Sequence, residues 1–200
     1  MYRRKIALAT VLLIAAVGLY FTYLFYRVFF LPNTAFNNPT SYVFIPTGTD
    51  MPALLDELAP VLKSTEDFRL AAEKKGYASR IRAGKYALKQ GMNNNEIINT
   101  LRGRSLPVKV TFNNMERIED LAGRLAQQVE ADSLSLLKQF LDPTFLAKNG
   151  FTPETALAMY IPNTYQFFWN VSPAALQKRL YKEYQYFWTT KRRNSIQKRG

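Results

Sequence analysis

The hydrophobic pattern of this chain changes character at residue 32. Residues 6–26 (IALATVLLIAAVGLYFTYLFY) form a run of 21 without one charged side chain, and no face of the helix they predict is polar. At about 1.5 Å per residue such a helix crosses the roughly 30 Å hydrocarbon layer of a bilayer. After Pro32 the apolar residues come in short, periodic groups. Residues 42–45 (YVFI) read as a strand, stopped by Pro46 and Gly48. Asp50 is placed to cap a helix with Pro52 in its first turn and Leu54, Leu55, Leu58, Val61 and Leu62 at helical spacing. Ser64, with Asp67 three residues on, predicts a second helix ending at Gly76. Residues 81–88 predict a strand antiparallel to 42–45. Asn93 or Asn94 caps a helix with Ile97, Ile98 and Leu101 inward, and Pro107 opens a strand to Phe112.

The pattern then turns helical. A helix from Met115 carries Ile118, Leu121, Ala122 and Leu125 on one face, and one from Asp132 or Ser133 to Leu141 buries Leu134, Leu137 and Phe140 or Leu141. Asp142-Pro143 starts a third. Residues 158–169 (AMYIPNTYQFFW) are aromatic and β-prone and predict two extended pieces about a tight turn at Pro162-Asn163. Ser172-Pro173 opens a last helix with Leu176, Leu180, Tyr184 and Phe187 or Trp188 as one stripe. No later element is in view to cover that stripe, so the final third is expected to be poorly stable alone.

Charge gives the first segment a direction. Arg3, Arg4 and Lys5 precede it and mark a cytoplasmic tail of residues 1–5, since positive flanks are retained inside. The anchor then covers residues 6–30, a polar linker 31–41, and the bulk lies outside the cytoplasm. The competing reading is a cleaved signal peptide. A signal's apolar core is shorter, and FYRVFFLPN lacks the small residues of a cleavage site. The net charge of +12 is concentrated at the ends: residues 28–190 hold 18 cations against 15 anions. Solvated basic ends explain the charge, and no nucleic-acid partner is expected. With neither Cys nor His in the chain, disulfides and thiol or imidazole chemistry are excluded. Neither metal nor cofactor is expected. Glu116, Glu119 and Asp120 sit where a helix begins, a position that favours anions without any catalytic duty.

Two motifs add a family. The run Arg82-x-Gly84-x-Tyr86, then Met92, then Glu96 to Gly103 (EIINTLRG) resembles the LysM-like part of the endolytic murein transglycosylases, the YceG-like family. The family's P-D-T-Y or P-D-T-W signature is matched by Pro162, Thr164 and Tyr165, with Asn163 in place of Asp. Asn keeps the turn chemistry and loses the charge. The order of anchor, LysM-like unit, helical spacer, aromatic turn and basic helix also follows the family.

The resemblance implies an α+β fold: a single transmembrane helix, a small LysM-like unit over 42–106, a helical spacer, and an incomplete start of the catalytic domain over 107–200. It implies substrate contacts at Tyr160, Pro162, Asn163, Thr164 and Tyr165, although aromatic side chains around such a turn serve a domain core equally well. It places the catalytic Glu in a helix after Gly200, so that no residue of this chain is catalytic and the 200 residues alone are inactive. The implied reaction cleaves the β-1,4 bond between N-acetylmuramic acid and N-acetylglucosamine of nascent peptidoglycan, leaving 1,6-anhydro ends. A peptidoglycan synthase is the implied partner at the inner membrane. Two alternatives remain: a non-catalytic membrane-anchored peptidoglycan-binding module, and a structural spacer in an envelope complex.

Overall fold

The computed structural model describes residues 2–192, and the chain divides into two compact units, Met1–Ser105 and Leu106–Gly200. The fold is mixed α and β, with two small antiparallel sheets and one apolar N-terminal helix. Of the basic tail, Arg193, Lys198 and Arg199 lie outside the described residues.

In the first unit, helix α1 (Tyr2–Phe30) contains the 23-residue apolar stretch Leu8–Phe30, mean hydropathy 2.1, none of it buried by the protein in its most apolar window. It is long and apolar enough to cross a membrane. Its last turn belongs to the unit, since Val28 is buried in the core and Arg27 is ion-paired with Asp67 at 2.9 Å. The following stretch, expected as a linker, is fixed in place instead. The Asn33 N–H donates to the Met92 carbonyl, Ala35 N–H to Val61, and Gly91 N–H to the Thr34 hydroxyl. Asn33 is buried: its Nδ2 donates to the Ser64 carbonyl (2.8 Å) and to Asn94 Oδ1 (2.7 Å), and Asn94 Nδ2 donates to the Val28 carbonyl (2.7 Å).

Strand β1 (Thr40–Ile45) pairs antiparallel with β2 (Gly84–Lys89), Thr40 opposite Lys89 and Ile45 opposite Gly84. Val43, Ile45, Tyr86 and Leu88 turn inward against helices α2 (Met51–Leu58), α3 (Thr65–Lys74) and α4 (Asn94–Arg102). The caps form where the sequence places them, on Asp50, Ser64 and Asn93, and Asn93 with Glu96 makes a reciprocal capping box. Ser64 caps α3 alone, because the Asp67 carboxylate accepts from Arg27. Helix α2 stops earlier than its apolar spacing predicts: Pro60 has no N–H to continue it, and the chain tightens into a 3₁₀ turn, Ala59–Val61. The second strand starts at Gly84, not at residue 81. Pro46 ends β1 and leaves nothing to pair with earlier residues, and Gly84 turns at φ +136.

In the second unit, strand β3 (Pro107–Phe112) pairs antiparallel with β4 (Asn163–Phe168), Phe112 opposite Asn163 and Pro107 opposite Phe168. Its inner face meets helices α5 (Ile118–Ala126), α6 (Ser133–Phe140), α7 (Pro143–Lys148) and α8 (Pro173–Tyr186). Gln128 clamps β3 from the side, its amide donating to the Thr111 carbonyl and accepting from the Thr111 N–H.

Four expectations are corrected here. Helix α5 starts at Ile118, where its apolar face begins, so Met115 and Glu116 precede it. In α6 the buried residues are Leu136 and Phe140, while Leu134 is 76% exposed. Asp132 caps the helix, packing against α5 and α8 selects its buried face, and two residues of helix put Leu134 about 200° from Leu136. The first arm of 158–169 is not extended, since Ala156–Met159 is a 3₁₀ turn and β4 alone forms the second arm. The final stripe is covered over Leu176, Leu180 and Tyr184, by elements before it, while Trp188 stays 43% exposed. Leu176 and Leu180 are buried, the Phe145 ring meets Tyr181 edge-on at 5.5 Å, and Phe151 meets Tyr184 at 5.6 Å. After α8 the chain continues as a π-helical turn, Phe187–Arg192.

Candidate functional site

Within the second unit a cleft of about 440 Å³ opens between the end of β3, the approach to β4 and the π-helical turn. Its floor is apolar. Phe112, Leu121 of α5, Leu157 of the 3₁₀ turn, and Tyr160, Ile161 and Pro162 leading into β4 all line it. Phe187 and Trp188 of the π-helical turn line it as well, with Trp188 43% exposed. Asn113, Asn114 and Met115 complete the lining. Both Asn side chains are exposed and, among the described residues, their amides make no hydrogen bond within the chain. Among the described residues, no lining residue carries a charge. The arrangement offers ring faces, two free amides that donate and accept, and an apolar floor.

The five residues expected to contact substrate divide by position. Tyr160 lines the cleft but is largely core: its ring lies 4.8 Å from Phe140 and its hydroxyl accepts from Gln177 at 3.3 Å. Gln177 is itself buried and accepts from Gln139 at 2.8 Å. Burial pushes the Tyr160 phenol well above its ordinary value. Pro162 lines the cleft and is exposed. Asn163 accepts from the Thr164 N–H at 2.8 Å, a local turn contact. Thr164 shares a hydrogen bond with Thr111 across the sheet at 2.8 Å. Tyr165 is buried, stacks on Phe112 at 5.7 Å and donates to the Ile161 carbonyl at 2.6 Å. Its phenol is pushed up to about 12, by burial first and then by the Glu183 carboxylate. Tyr160 and Pro162 thus face the cleft together, while Asn163, Thr164 and Tyr165 hold the turn and strand behind it.

Sequence reasoning missed Asn113, Asn114 and Met115, because the helix was extended back to Met115. The signal was two consecutive Asn residues directly after the strand, a loop composition. Glu183 is ion-paired with Arg179 and is not in the lining. Glu116, Glu119 and Asp120 also lie outside the lining, and Glu119 pairs with Arg117 at 3.4 Å.

In the first unit, the residues that carry the LysM-like resemblance are engaged in structure. The Tyr86 hydroxyl donates to the Arg82 carbonyl, the Arg82 guanidinium donates to the Arg102 carbonyl, and Met92 sulfur accepts from the Lys89 N–H. On the outer sheet face Tyr42 and Phe44 are exposed, with the Lys85 ammonium 4.2 Å from the Tyr42 ring centre.

Among curated proteins none matches this chain. Among solved structures, a YceG-like protein of Listeria monocytogenes is 20% identical, with a TM-score of 0.43; the match covers 82% of this chain and 60% of that one. This chain therefore spans about three fifths of that protein's length. The profile of the YceG-like family matches residues 43–200, the whole of the chain beyond the first strand residues, and the chain belongs to that family.

Proposed function

We propose that this chain is the membrane-anchored, glycan-engaging part of an endolytic peptidoglycan lytic transglycosylase. The observation that carries the reading is the cleft, where the exposed Trp188 ring and two free amides meet over apolar residues in one concavity. Sugar rings present C–H faces that pack on aromatic side chains, and amide groups that exchange hydrogen bonds with amides. Family membership supports the same reading.

In the proposed reaction a protonated Glu gives its proton to the O4 leaving oxygen of N-acetylglucosamine as the C1–O4 bond of N-acetylmuramic acid breaks. The carboxylate then takes the proton of the muramic C6 hydroxyl while O6 bonds to C1, which closes the 1,6-anhydro ring. One carboxyl serves both steps because the nucleophile belongs to the substrate. Among the described residues no carboxylate lines the cleft, and its residues act in binding and in keeping water away. A carboxyl set against this apolar wall would hold its proton near neutral pH. Helix α1 anchors the protein in the cytoplasmic membrane with residues 1–5 inside. Residues 42–106 form the LysM-like accessory unit, and 107–200 begin the catalytic domain.

Glycan-strand analysis of cells lacking the protein tests the reading. The expected result is longer strands with fewer 1,6-anhydro ends. Unchanged strand length and end content would overturn it. A non-catalytic binding module predicts binding of purified strands by the intact protein without any change in the ends of cellular glycan.

A further inference from the structure

Resting on the reading that α1 spans a membrane, we infer that the small cleft where α1 enters the first unit holds the phosphate of an anionic phospholipid, with Arg27 and Lys63 as its two cations. The helix sets the depth. Its apolar stretch Leu8–Phe30 is 23 residues long, about 35 Å at 1.5 Å per residue, slightly more than the hydrocarbon layer. Arg27 in the last turn and Leu31 just beyond it therefore lie at the level of the lipid headgroups. The first unit is held at that level because α1 is built into it. Val28 is buried in the core, and Asn33 and Asn94 join residues 28–33 to Ser64 through buried hydrogen bonds.

About 190 Å³ in volume, the cleft sets Arg27 and Lys63 beside Asp67, Leu31 and Pro32. The neutral polar side chains of its lining are spent inside the protein. Asn33 donates to Ser64 and Asn94 and accepts from the Ser64 N–H, Asn94 donates to Val28, and the Ser64 hydroxyl accepts from the Asp67 N–H. The Asp67 carboxylate accepts from one Arg27 N–H at 2.9 Å, which offsets its charge. What remains is positive: the other N–H groups of Arg27 and the exposed Lys63 ammonium have no partner among the described residues. One net positive charge at headgroup depth matches a phosphodiester that carries no ammonium of its own, as in phosphatidylglycerol. Phosphatidylcholine, with a neutral headgroup, matches it less well. Leu31, 39% exposed, gives the lining an apolar edge for the glycerol end of such a lipid. A lipid held here braces the unit beside its helix, so membrane charge sets how firmly the unit is oriented.

The test follows amide exchange of the full chain in nanodiscs of phosphatidylcholine, with and without admixed phosphatidylglycerol, read by mass spectrometry over residues 33–36 and 61–66. A ligand that binds only the closed state slows exchange in proportion to its occupancy, and phosphatidylglycerol is expected to slow these amides about tenfold. Lys63→Gln, at an exposed position, is expected to remove about fivefold of that slowing, the worth of one cation at a lipid surface, and Lys63→Arg to restore it. Lys74→Gln, about 15 Å away at the other end of α3 and beyond the screening length, is expected to leave it unchanged. Full slowing in Lys63→Gln, or its loss in Lys74→Gln as well, would reveal a diffuse surface attraction and overturn the site. Equal slowing by inorganic phosphate in lipid-free micelles would overturn the lipid as occupant. Flotation with alkali-washed vesicles separates the site from the anchor. If the chain floats and phosphatidylglycerol has no effect on exchange, the anchor stands and the site falls; if the chain does not float, both fall.

Discussion

Replacing Asn94 by Ala tests how the apolar helix is joined to the first unit. Asn94 is 1% exposed and makes two hydrogen bonds of 2.7 Å, one from Asn33 Nδ2 and one to the Val28 carbonyl. Its truncation leaves one N–H and one carbonyl without partners in a buried site. Each such group costs about 1–3 kcal/mol. Full desolvation of both gives roughly 2–6 kcal/mol on that scale. The small cleft of about 190 Å³ beside Arg27, Asn33, Ser64 and Asp67 admits water to part of this site, which favours the low end. We therefore expect about 2 kcal/mol, roughly a 30-fold faster exchange of protected amides. Hydrogen exchange of the full chain in micelles, read by mass spectrometry over α3 and α4, measures this, and amides of β3 and β4 in the second unit serve as the internal reference. Asn94→Asp keeps the size and the acceptor but turns an oxygen toward the Val28 carbonyl. It is expected to be worse than Ala at neutral pH and to recover on acidification, when the protonated carboxyl donates to that carbonyl. An exchange rate in α3 and α4 within about threefold of the parent, or the same change in both units, would refute the reasoning.

Leu136→Ala is expected to cost about 2–5 kcal/mol and Leu134→Ala less than about 0.5, measured by urea unfolding followed through Trp169 fluorescence; the reverse order would put α6 in the opposite phase. Tyr77→Phe is expected to leave the first unit as stable or to raise its melting temperature, because the buried Tyr77 hydroxyl has no hydrogen-bond partner among the described residues, and a fall would reveal one. The second unit should lose stability as pH rises from about 10, the phenol value of the unfolded chain, through about 12, where Tyr165 ionises in the folded state. Burial raises the folded value, so the unfolded chain loses its proton first and is favoured; ultraviolet titration with circular dichroism checks this, and ionisation of every tyrosine near 10 without unfolding would contradict it. The chain should remain with membranes after alkaline carbonate washing, and release with a shortened amino terminus would show a cleaved signal.

What was legible in the sequence was local chemistry. Asp50, Ser64, Asn93, Asp132, Asp142 and Ser172 all cap the helices they introduce, since a cap depends only on residues within one turn. The pairing of β1 with β2 followed from two short strands around two helices. The errors arose where a distant partner decides the outcome. Gly84 begins its strand because Pro46 ends the partner. Leu134 and Leu136 are equally apolar, and only packing against α5 and α8 chooses between them. The stripe on α8 looked bare because Phe145 and Phe151, which cover it, precede it by about thirty residues of chain. The same limit applied to the site: Pro162 and Tyr160 were visible as an aromatic turn, but nothing local joins Asn113 to Trp188.

The π-helical turn at Phe187–Arg192 has a consequence for how this protein tolerates change in length. An α-helix advances about 100° per residue and a π turn slightly less, so Phe187 and Trp188 stand side by side on the chain, and both line the cleft. A π turn is the trace of one residue more than an α-helix needs. Deleting a single residue between Tyr184 and Phe187 would rotate everything after it by about 100° and swing the indole aside, with every side chain of the cleft still encoded. The cleft thus depends on chain length as well as on residue identity.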